Sequence, residues 1–429
     1  MPYAKYLIPD TKYQGMLDIK FIRENPDKVK EACTNKNINN GDMIVDQVLE
    51  FDIKKRSLMT TLENLRAKQN KFTKDDLENA KKNKLEIKTL EPDVKETEEK
   101  LQTLLMQLPN IPFDDVPVGR DDSQNIVLKK AGKLPKFSFA PKDYMQMGLD
   151  MDLIDTERAS KVSGTRFGYI KRELPLLEFA IVKLVMDTVV KQGFIPVIPP
   201  VMLKKEMAEG TGYFEAGDEK EAYFLPEDNM YLTGTSEQSL IAMHADEMLE
   251  EKELPLRYIA FSTCFRREAG SYGKDTKGIL RVHQFDKLEM VIFSKPEDSK
   301  KEHALLLSIE EKLMKALGLP YQVLTICTGD LGRPAAAKYD IETWIPLENK
   351  YRETHSTSNC TDFQARRLNI RYKDTSGKPQ FVHTLNGTAF AIGRILIAIM
   401  ENYQQKDGSV KIPKVLQKYT GFSVIKKKK

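Results

Sequence analysis

Two arginines and two carboxylates are spaced so that one sheet face would carry all four. The stretch Cys264 to Met290, CFRREAGSYGKDTKGILRVHQFDKLEM, reads as two strands of β-branched and aromatic residues joined by a Gly-rich, charged loop. Its polar positions would present Arg266, Glu268, Arg281 and Glu289 together. Charges on strands usually point to water, and a floor of four is costly unless a charged ligand completes it. Arginine suits that task, because its planar fork holds a phosphate or carboxylate bidentately. A fifth candidate, Arg394, lies in the apolar run FAIGRILIAIM. Alone it reads more readily as a snorkelling side chain than as a ligand. His283 has no partner His or Cys at metal-ligand spacing, which favours a structural role.

The elements that must position these groups follow from pattern. At 429 residues, 41% hydrophobic and 30% charged, the chain predicts two or three globular domains and excludes a minimal binding module. The longest apolar stretch, Ala389 to Met400, is too short for a bilayer and contains Arg394. With no export signal at the N-terminus, the expectation is a cytoplasmic protein without a membrane contact. Four scattered cysteines, Cys33, Cys264, Cys327 and Cys360, form no CxxC pair and read as reduced core thiols. A net charge of +4 is too small to argue for nucleic acid.

Residues 43–108 lack the glycines found elsewhere and repeat apolar residues at coiled-coil spacing. Val48, Phe51, Leu58, Leu62, Leu65 and Phe72 form one seam, with Lys55 and Gln69 in its polar slots. Ala80, Ile87, Val94, Leu101 and Leu108 form the other, with Leu90 and Leu104 between. Two long helices result. Thr73, three residues before Asp76, would cap the second after a tight reversal, and Pro92 inside it would bend the rod. Lys54, Lys55, Arg56, Arg66, Lys68 and Lys71 suggest a basic stripe, or else the solvated faces of a dimerisation coil. Pro109, Pro112 and Pro117 mark a linker. Beyond it, strand-like runs (Leu256 to Phe265, Leu280 to Phe293) mix with helical ones (Leu174 to Gln192, Glu302 to Leu317) without βαβ regularity. The fold class is therefore α+β, a helical hairpin plus an antiparallel sheet flanked by helices.

F-R-x-E, a loop and then G-x-x-R-x-H-Q-F resembles motif 2 of the class II aminoacyl-tRNA synthetases. MLDIKFIRENPDKV from Met16 resembles the start of the seryl-tRNA synthetases. GFIPVIPPV, ending at Val201, is similar to motif 1 with its interface proline at Pro200. LTGTSEQSL from Leu232 is similar to their serine-binding Thr-x-Glu loop, and SNCTDFQARRLNIRY and HTLNGTAFAIGRILIAIMENYQ resemble their closing signature and motif 3.

The resemblance implies an extension at 1–15, a tRNA-binding domain at 16–118 with its hairpin at about 43–108, a catalytic domain at 119–425 and a basic tail at 426–429. It implies a ligase that activates L-serine with ATP and Mg²⁺ and charges tRNA(Ser), with tRNA(Sec) a second candidate, as a homodimer. Arg266 would grip the α-phosphate and the serine carboxylate, Glu268 would read adenine, and Phe285 would stack on it. Arg281 and Arg394 would hold the distal phosphates. Arg267, Val282, Thr354 and His355 complete the implied ATP set, and Glu353 and Ser356 would hold the metal. Thr235, Ser236, Glu237, Arg266, Glu289, Asn386 and Thr388 would line the serine pocket, a set of groups that alanine or glycine would leave unpaired. Without the resemblance, Thr235 and Thr388 read as turn caps and the two glutamates as partners of core arginines.

Three places depart from the family pattern. Glu353 to Thr357 reads ETHST where many relatives have E-I-S-S-C, Thr388 stands for a frequent Ser, and Ser236 for a frequent Ala. The hairpin would grip the long variable arm of the tRNA through Lys54, Lys55 and Arg66, by shape and phosphate. Two other readings compete: a paralogue charging a non-tRNA acceptor, and an inactive coiled-coil RNA-binding protein. The intact hairpin opposes the first, and the retained arginines and glutamates oppose the second.

Overall fold

The computed structural model describes residues 17–213, 218–269 and 278–427. The expected extension at 1–15, most of the Gly-rich loop and the last two lysines lie outside the described residues. The chain divides into two compact units within the proline-marked linker, one ending at Ile111 and the other beginning at Pro112.

In the first unit, short helices α1 (Ile19–Glu24) and α2 (Pro26–Asn35) accompany two long ones, α3 (Gly41–Gln69) and α4 (Leu77–Met106). Apolar residues at heptad spacing pair α3 with α4, and Val48, Leu101, Leu105 and Leu108 join Ile22, Val29 and Cys33 in one small core. Cross-helix bonds prove the antiparallel sense, since higher positions on one helix meet lower ones on the other. Lys55 meets Glu98 at 2.7 Å, and Arg66 meets Glu91 at 2.8 Å. Each polar slot of the seam has a partner. Lys55 takes that carboxylate, and Gln69 Oε1 accepts from Asn83 Nδ2 at 2.8 Å, which also donates to Leu65 O at 2.9 Å. Asn83 and Thr97, both buried, fill seam positions that the apolar series leaves blank. At the turn, Thr73 N and Oγ1 both donate to Asp76 Oδ2, at 3.3 and 3.0 Å. A single 3-10 turn follows before α4 begins. Pro92 lies inside α4, which continues through it to Met106. At the other end, Arg23 holds the buried Asp52 with two bonds of 2.7 Å.

The second unit is built on an eight-stranded sheet. Its strands are β1 (Ile126–Ala131), β2 (Ile195–Val197), β3 (Leu256–Phe265), β4 (Gln284–Ser294), β5 (Tyr321–Thr325), β6 (Ala337–Ile345), β7 (Lys350–Asn359) and β8 (His383–Ala391). Their order is β1-β5-β6-β7-β8-β4-β3-β2. Every pairing is antiparallel except β2 with β3 at one edge. Helices α5 (Glu173–Val189), α6 (Ser236–Ala242), α7 (Ser299–Leu317), α8 (Phe363–Arg367) and α9 (Ile392–Asn402) flank it.

The period of two along β4 separates the two sheet faces. Leu288, Met290 and Ile292 point into the main core with α5, α7 and α9. Lys287 and Glu289 therefore point the other way. All four cysteines are buried and none is in a disulfide. No helix among the described residues is long and apolar enough to cross a membrane.

Candidate active site

Directly opposed residues of an antiparallel pair share a face, and the register therefore assembles the site. On β4, Phe285 and Glu289 share a face with Lys287. Glu289 opposes Thr388 on β8, and two residues earlier Asn386 opposes Ser358 on β7. Ser358 and Ser356 oppose Lys338 and Asp340 on β6, and Glu353 opposes Glu342. Two bulges make this possible. Opposite the Ile341–Glu342 step, Thr354 is the unpaired extra residue, so Glu353 and Ser356 share a face although they are three apart. Opposite the Leu288–Glu289 step, Ala389 is the extra residue, and Thr388 comes to stand across from Glu289.

One half of this face is rich in cations. Arg266 leaves the end of β3, its backbone N–H bonded to His283 O at 3.0 Å. Its guanidinium lies 5.4 Å from the Phe285 ring centre, and Nε donates to Gly234 O at 3.2 Å. Arg281 donates to Glu268 Oε2 at 2.8 Å. Glu268 adopts φ +53°, a left-handed conformation uncommon for its type. Arg394, in the first turn of α9, donates to Glu353 O at 2.9 Å and approaches Glu353 Oε2 at 3.4 Å. Desolvation would raise the Glu353 carboxyl, but Arg394, Lys338 and Arg266 hold it below the usual carboxylate range. Lys338 lies 3.1 Å from Asp340, whose Oδ1 is buried without a hydrogen-bond partner.

The other half gathers buried polar groups. Glu289, 1% exposed, receives Lys287 Nζ at 2.7 Å and Thr388 Oγ1 at 2.9 Å. Thr235 caps α6, its Oγ1 accepting from Glu237 N at 3.3 Å, so the turn-cap reading of this residue holds as geometry. Glu237, 2% exposed, accepts from Tyr213 OH at 2.7 Å and from Gln364 Nε2 at 2.9 Å. Burial, and after it the charge of Glu289, raise the Glu237 carboxyl to about 7. Asn386 Nδ2 faces Cys360 Sγ at 3.8 Å, and the buried Ser236 Oγ has no partner.

Not every expected residue turns its side chain to this face. Arg267 donates to Ala222 O at 2.8 Å and stacks on Tyr223, which anchors a neighbouring segment. Thr354 and His355 point into the core. Thr354 Oγ1 meets Thr343 Oγ1 at 2.7 Å and His355 Nδ1 at 2.8 Å, and the His355 ring packs on Phe390. Burial pushes His355 down to about 3, so it is neutral. Val282 is buried, and Pro200, on the segment after β2, accepts from Ser239 Oγ at 2.7 Å. His283 packs between Phe167 and Tyr223, in line with a structural role. Sequence reasoning missed Lys287, Lys338 and Asp340, and it missed Tyr213 and Gln364. Lys287 carried a signal, being two residues from Glu289 and hence on its face. Tyr213 carried none, since only the fold brings it to Glu237.

The family model for the seryl-tRNA synthetase N-terminal domain matches residues 16–112, and that for the tRNA synthetase class II core domain (G, H, P, S and T) matches residues 223–403. The serine–tRNA ligase of Dictyoglomus turgidum is 45% identical over 425 residues, covering 96% of this chain and 100% of that protein. The chain belongs to the seryl-tRNA synthetase family. Among solved seryl-tRNA synthetases, that of Pyrococcus horikoshii complexed with ATP superposes with a TM-score of 0.91 at 40% identity, over 96% of this chain and 100% of the other. The cytoplasmic serine–tRNA ligase of Naegleria fowleri in complex with AMP gives 0.87 at 32% identity, over 97% and 100%. The two-bulge sheet face is therefore a face of the seryl-tRNA synthetase core, and the antiparallel pair α3–α4 is part of its N-terminal domain.

Proposed function

We propose that the chain activates L-serine with ATP, giving seryl-adenylate and pyrophosphate, and transfers serine to the 3′ end of tRNA(Ser), with tRNA(Sec) as a second acceptor. The observation that carries this reading is one sheet face bearing Lys287, Glu289 and Thr388 next to Arg266, Phe285 and Glu353.

A serine carboxylate oxygen attacks the α-phosphorus in line. The new O–P bond forms as the bond to the bridging oxygen breaks, and pyrophosphate leaves with the electron pair. Such a reaction needs positioning and charge neutralisation and no protein nucleophile. Arg266, resting on Phe285, reaches both the α-phosphate and the amino-acid carboxylate. Glu268 and the Val282 backbone read the adenine edge, while Phe285 stacks on its face. Arg281 and Arg394 take the distal phosphates, in competition with the Glu268 and Glu353 groups they now touch. A nucleotide contact at Arg267, Thr354 or His355 is one of backbone, because those side chains are engaged elsewhere. Glu353 and Ser356 supply a carboxylate and a hydroxyl on one face, and the unpartnered Asp340 oxygen stands opposite Ser356. Hard oxygens of this kind would hold Mg²⁺, which would supply positive charge against the triphosphate. Thr235, Glu237, Glu289, Asn386 and Thr388 surround the ammonium and hydroxyl of serine, with Ser236 behind them.

The hairpin serves the tRNA. Of the three cations expected to grip the tRNA, Lys54 is exposed, whereas Lys55 and Arg66 are paired across the seam. The charge that remains available lies toward the tip. Residues 64–88 carry eight basic and four acidic side chains, against five basic and nine acidic in 43–63 and 89–108. Exposed Lys68, Lys71, Lys81, Lys82, Lys84 and Lys88 make that end the phosphate-binding one. The enzyme works in the cytoplasm as a homodimer. In support, Pro200 lies beside side chains left in solvent at Ile195 (49%), Ile198 (87%) and Met202 (41%), next to the sheet edge.

Serine-dependent exchange of labelled pyrophosphate into ATP, with alanine, threonine and cysteine as controls, tests the assignment. Exchange with serine well above the controls is expected. Equal exchange with alanine, or none with serine, would overturn it.

A further inference from the structure

The two buried carboxylates of the amino-acid pocket are compensated differently. Glu289 has a cation bonded to it, Lys287 at 2.7 Å. Among the described residues the donors to Glu237 are neutral, the Tyr213 phenol on one oxygen and the Gln364 amide on the other. Gln364 is itself fixed, donating to Thr211 O at 3.1 Å and accepting from Thr384 Oγ1 at 2.6 Å. Among the described residues no cation is bonded to Glu237. Its surroundings are Tyr213 from the segment before residue 214, Gln364 from α8, and Glu289 and Lys287 from β4. A neutral two-donor clamp orients a carboxylate and stabilises its charge without cancelling it. The anion so held is the natural counter-ion for an ammonium, whereas Glu289 already has one.

We propose that Tyr213 is a positioning residue that, together with Gln364, presents Glu237 as the uncompensated anion of the pocket and thereby sets affinity for the substrate ammonium. The proposal rests on the reading of this pocket as the serine site. Two consequences separate it from a packing role. Ammonium binding requires Glu237 ionised, so the serine KM falls as pH rises through the region near 7 where this carboxyl titrates. Loss of the phenol removes a donor that favours the ionised form, and the inflection moves to higher pH.

The test is pyrophosphate exchange between pH 6 and 8.5 with the full-length enzyme and Tyr213→Phe, which keeps the ring. Expected for Y213F is a serine KM raised about tenfold at pH 7, of the order of one hydrogen bond to a charged group. Its inflection should lie further alkaline, with kcat within about twofold and the ATP KM unchanged. Competition by 3-hydroxypropanoate, which lacks the ammonium, should be equal in both enzymes. A measurement on the unaltered enzyme stands independently: serine affinity should improve across pH 7 and that of 3-hydroxypropanoate should not. The inference is overturned if Y213F keeps the original serine KM and inflection, or if both ligands show the same pH dependence. An unaltered enzyme with no serine-dependent exchange would instead overturn the pocket assignment on which it rests.

Discussion

The hairpin and the catalytic sheet both carry many charges, and they spend them in opposite ways. On the hairpin, Lys55 with Glu98 and Arg66 with Glu91 sit in or near solvent, where an ion pair contributes a few tenths of a kcal/mol and is screened by salt. On the sheet, Glu289 with Lys287 and Asp340 with Lys338 are a tenth exposed or less except for Lys338, a fifth exposed, and each charge is costly unless its partner stays in place. Exposed charges tolerate rearrangement and suit a surface that meets a long, flexible polyanion. Buried ones hold a geometry to fractions of an ångström, which is what in-line displacement requires.

This contrast can be broken from either side. The largest effect should come from Arg266→Gln, which removes the guanidinium resting on Phe285: serine-dependent exchange should fall by about 10³-fold or more. A loss under tenfold would mean that the sheet's arginines are as dispensable as the hairpin's. Glu353→Gln comes next, with an expected loss of about 10²-fold in exchange at limiting Mg²⁺ that excess Mg²⁺ partly restores. Charge reversal of Lys81, Lys82 and Lys84 together should raise the KM for tRNA about tenfold, flatten its dependence on salt and leave exchange untouched. An equal fall in tRNA-independent exchange would erase the division between the two regions.

Smaller still is the base of the hairpin. Burial would raise Asp52, but Arg23 and Arg56 outweigh it and hold the carboxyl below its ordinary value. A carboxyl depressed in the folded state contributes stability above its unfolded pKa and loses it as pH falls through the lower, folded one. The unaltered chain should therefore lose melting temperature below about pH 4, where ordinary Asp titrates. Arg23→Met should cost about 2 kcal/mol at pH 7 and flatten that acid limb. Lys55→Gln should change melting by no more than the surface-pair value. A cost for it equal to that of Arg23→Met would show that burial does not govern which pairs matter.

Much of the architecture was legible because it rests on short periodicities. The seam from Val48 to Leu108 is a heptad pattern, and β3 runs from Leu256 to Phe265 as its alternation predicts. The arginines and glutamates of motif 2 were legible as chemistry because charges among strand residues demand an explanation, but only Glu289 lies on a strand: β3 ends at Phe265 and β4 begins at Gln284, not at Leu280, so Arg266, Glu268 and Arg281 stand in the connection between them. What could not be read depends on counting across strands. Neither bulge is visible in composition, and the resemblance that implied a nucleotide contact for Thr354 and His355 carries no sign that their side chains pack against Thr343 and Phe390. Tyr213 reaches Glu237 from 24 residues away, and no local pattern encodes that approach. On the hairpin the identity of the cations was readable but their availability was not, because Glu98 and Glu91 lie on the other helix.

The spare residue at Thr354 has a consequence for how this strand can change over generations. A substitution there alters a side chain in the interior, and removing the residue would leave Glu353 opposite Glu342 on its present face. Were Thr354 instead drawn into the ladder opposite Glu342, the part of β7 before it would slip by one and invert, turning Glu353 towards the hydrophobic layer and its carboxylate away from Arg394. What the strand has to keep over generations is therefore the register on either side of the spare residue, more than the residue itself.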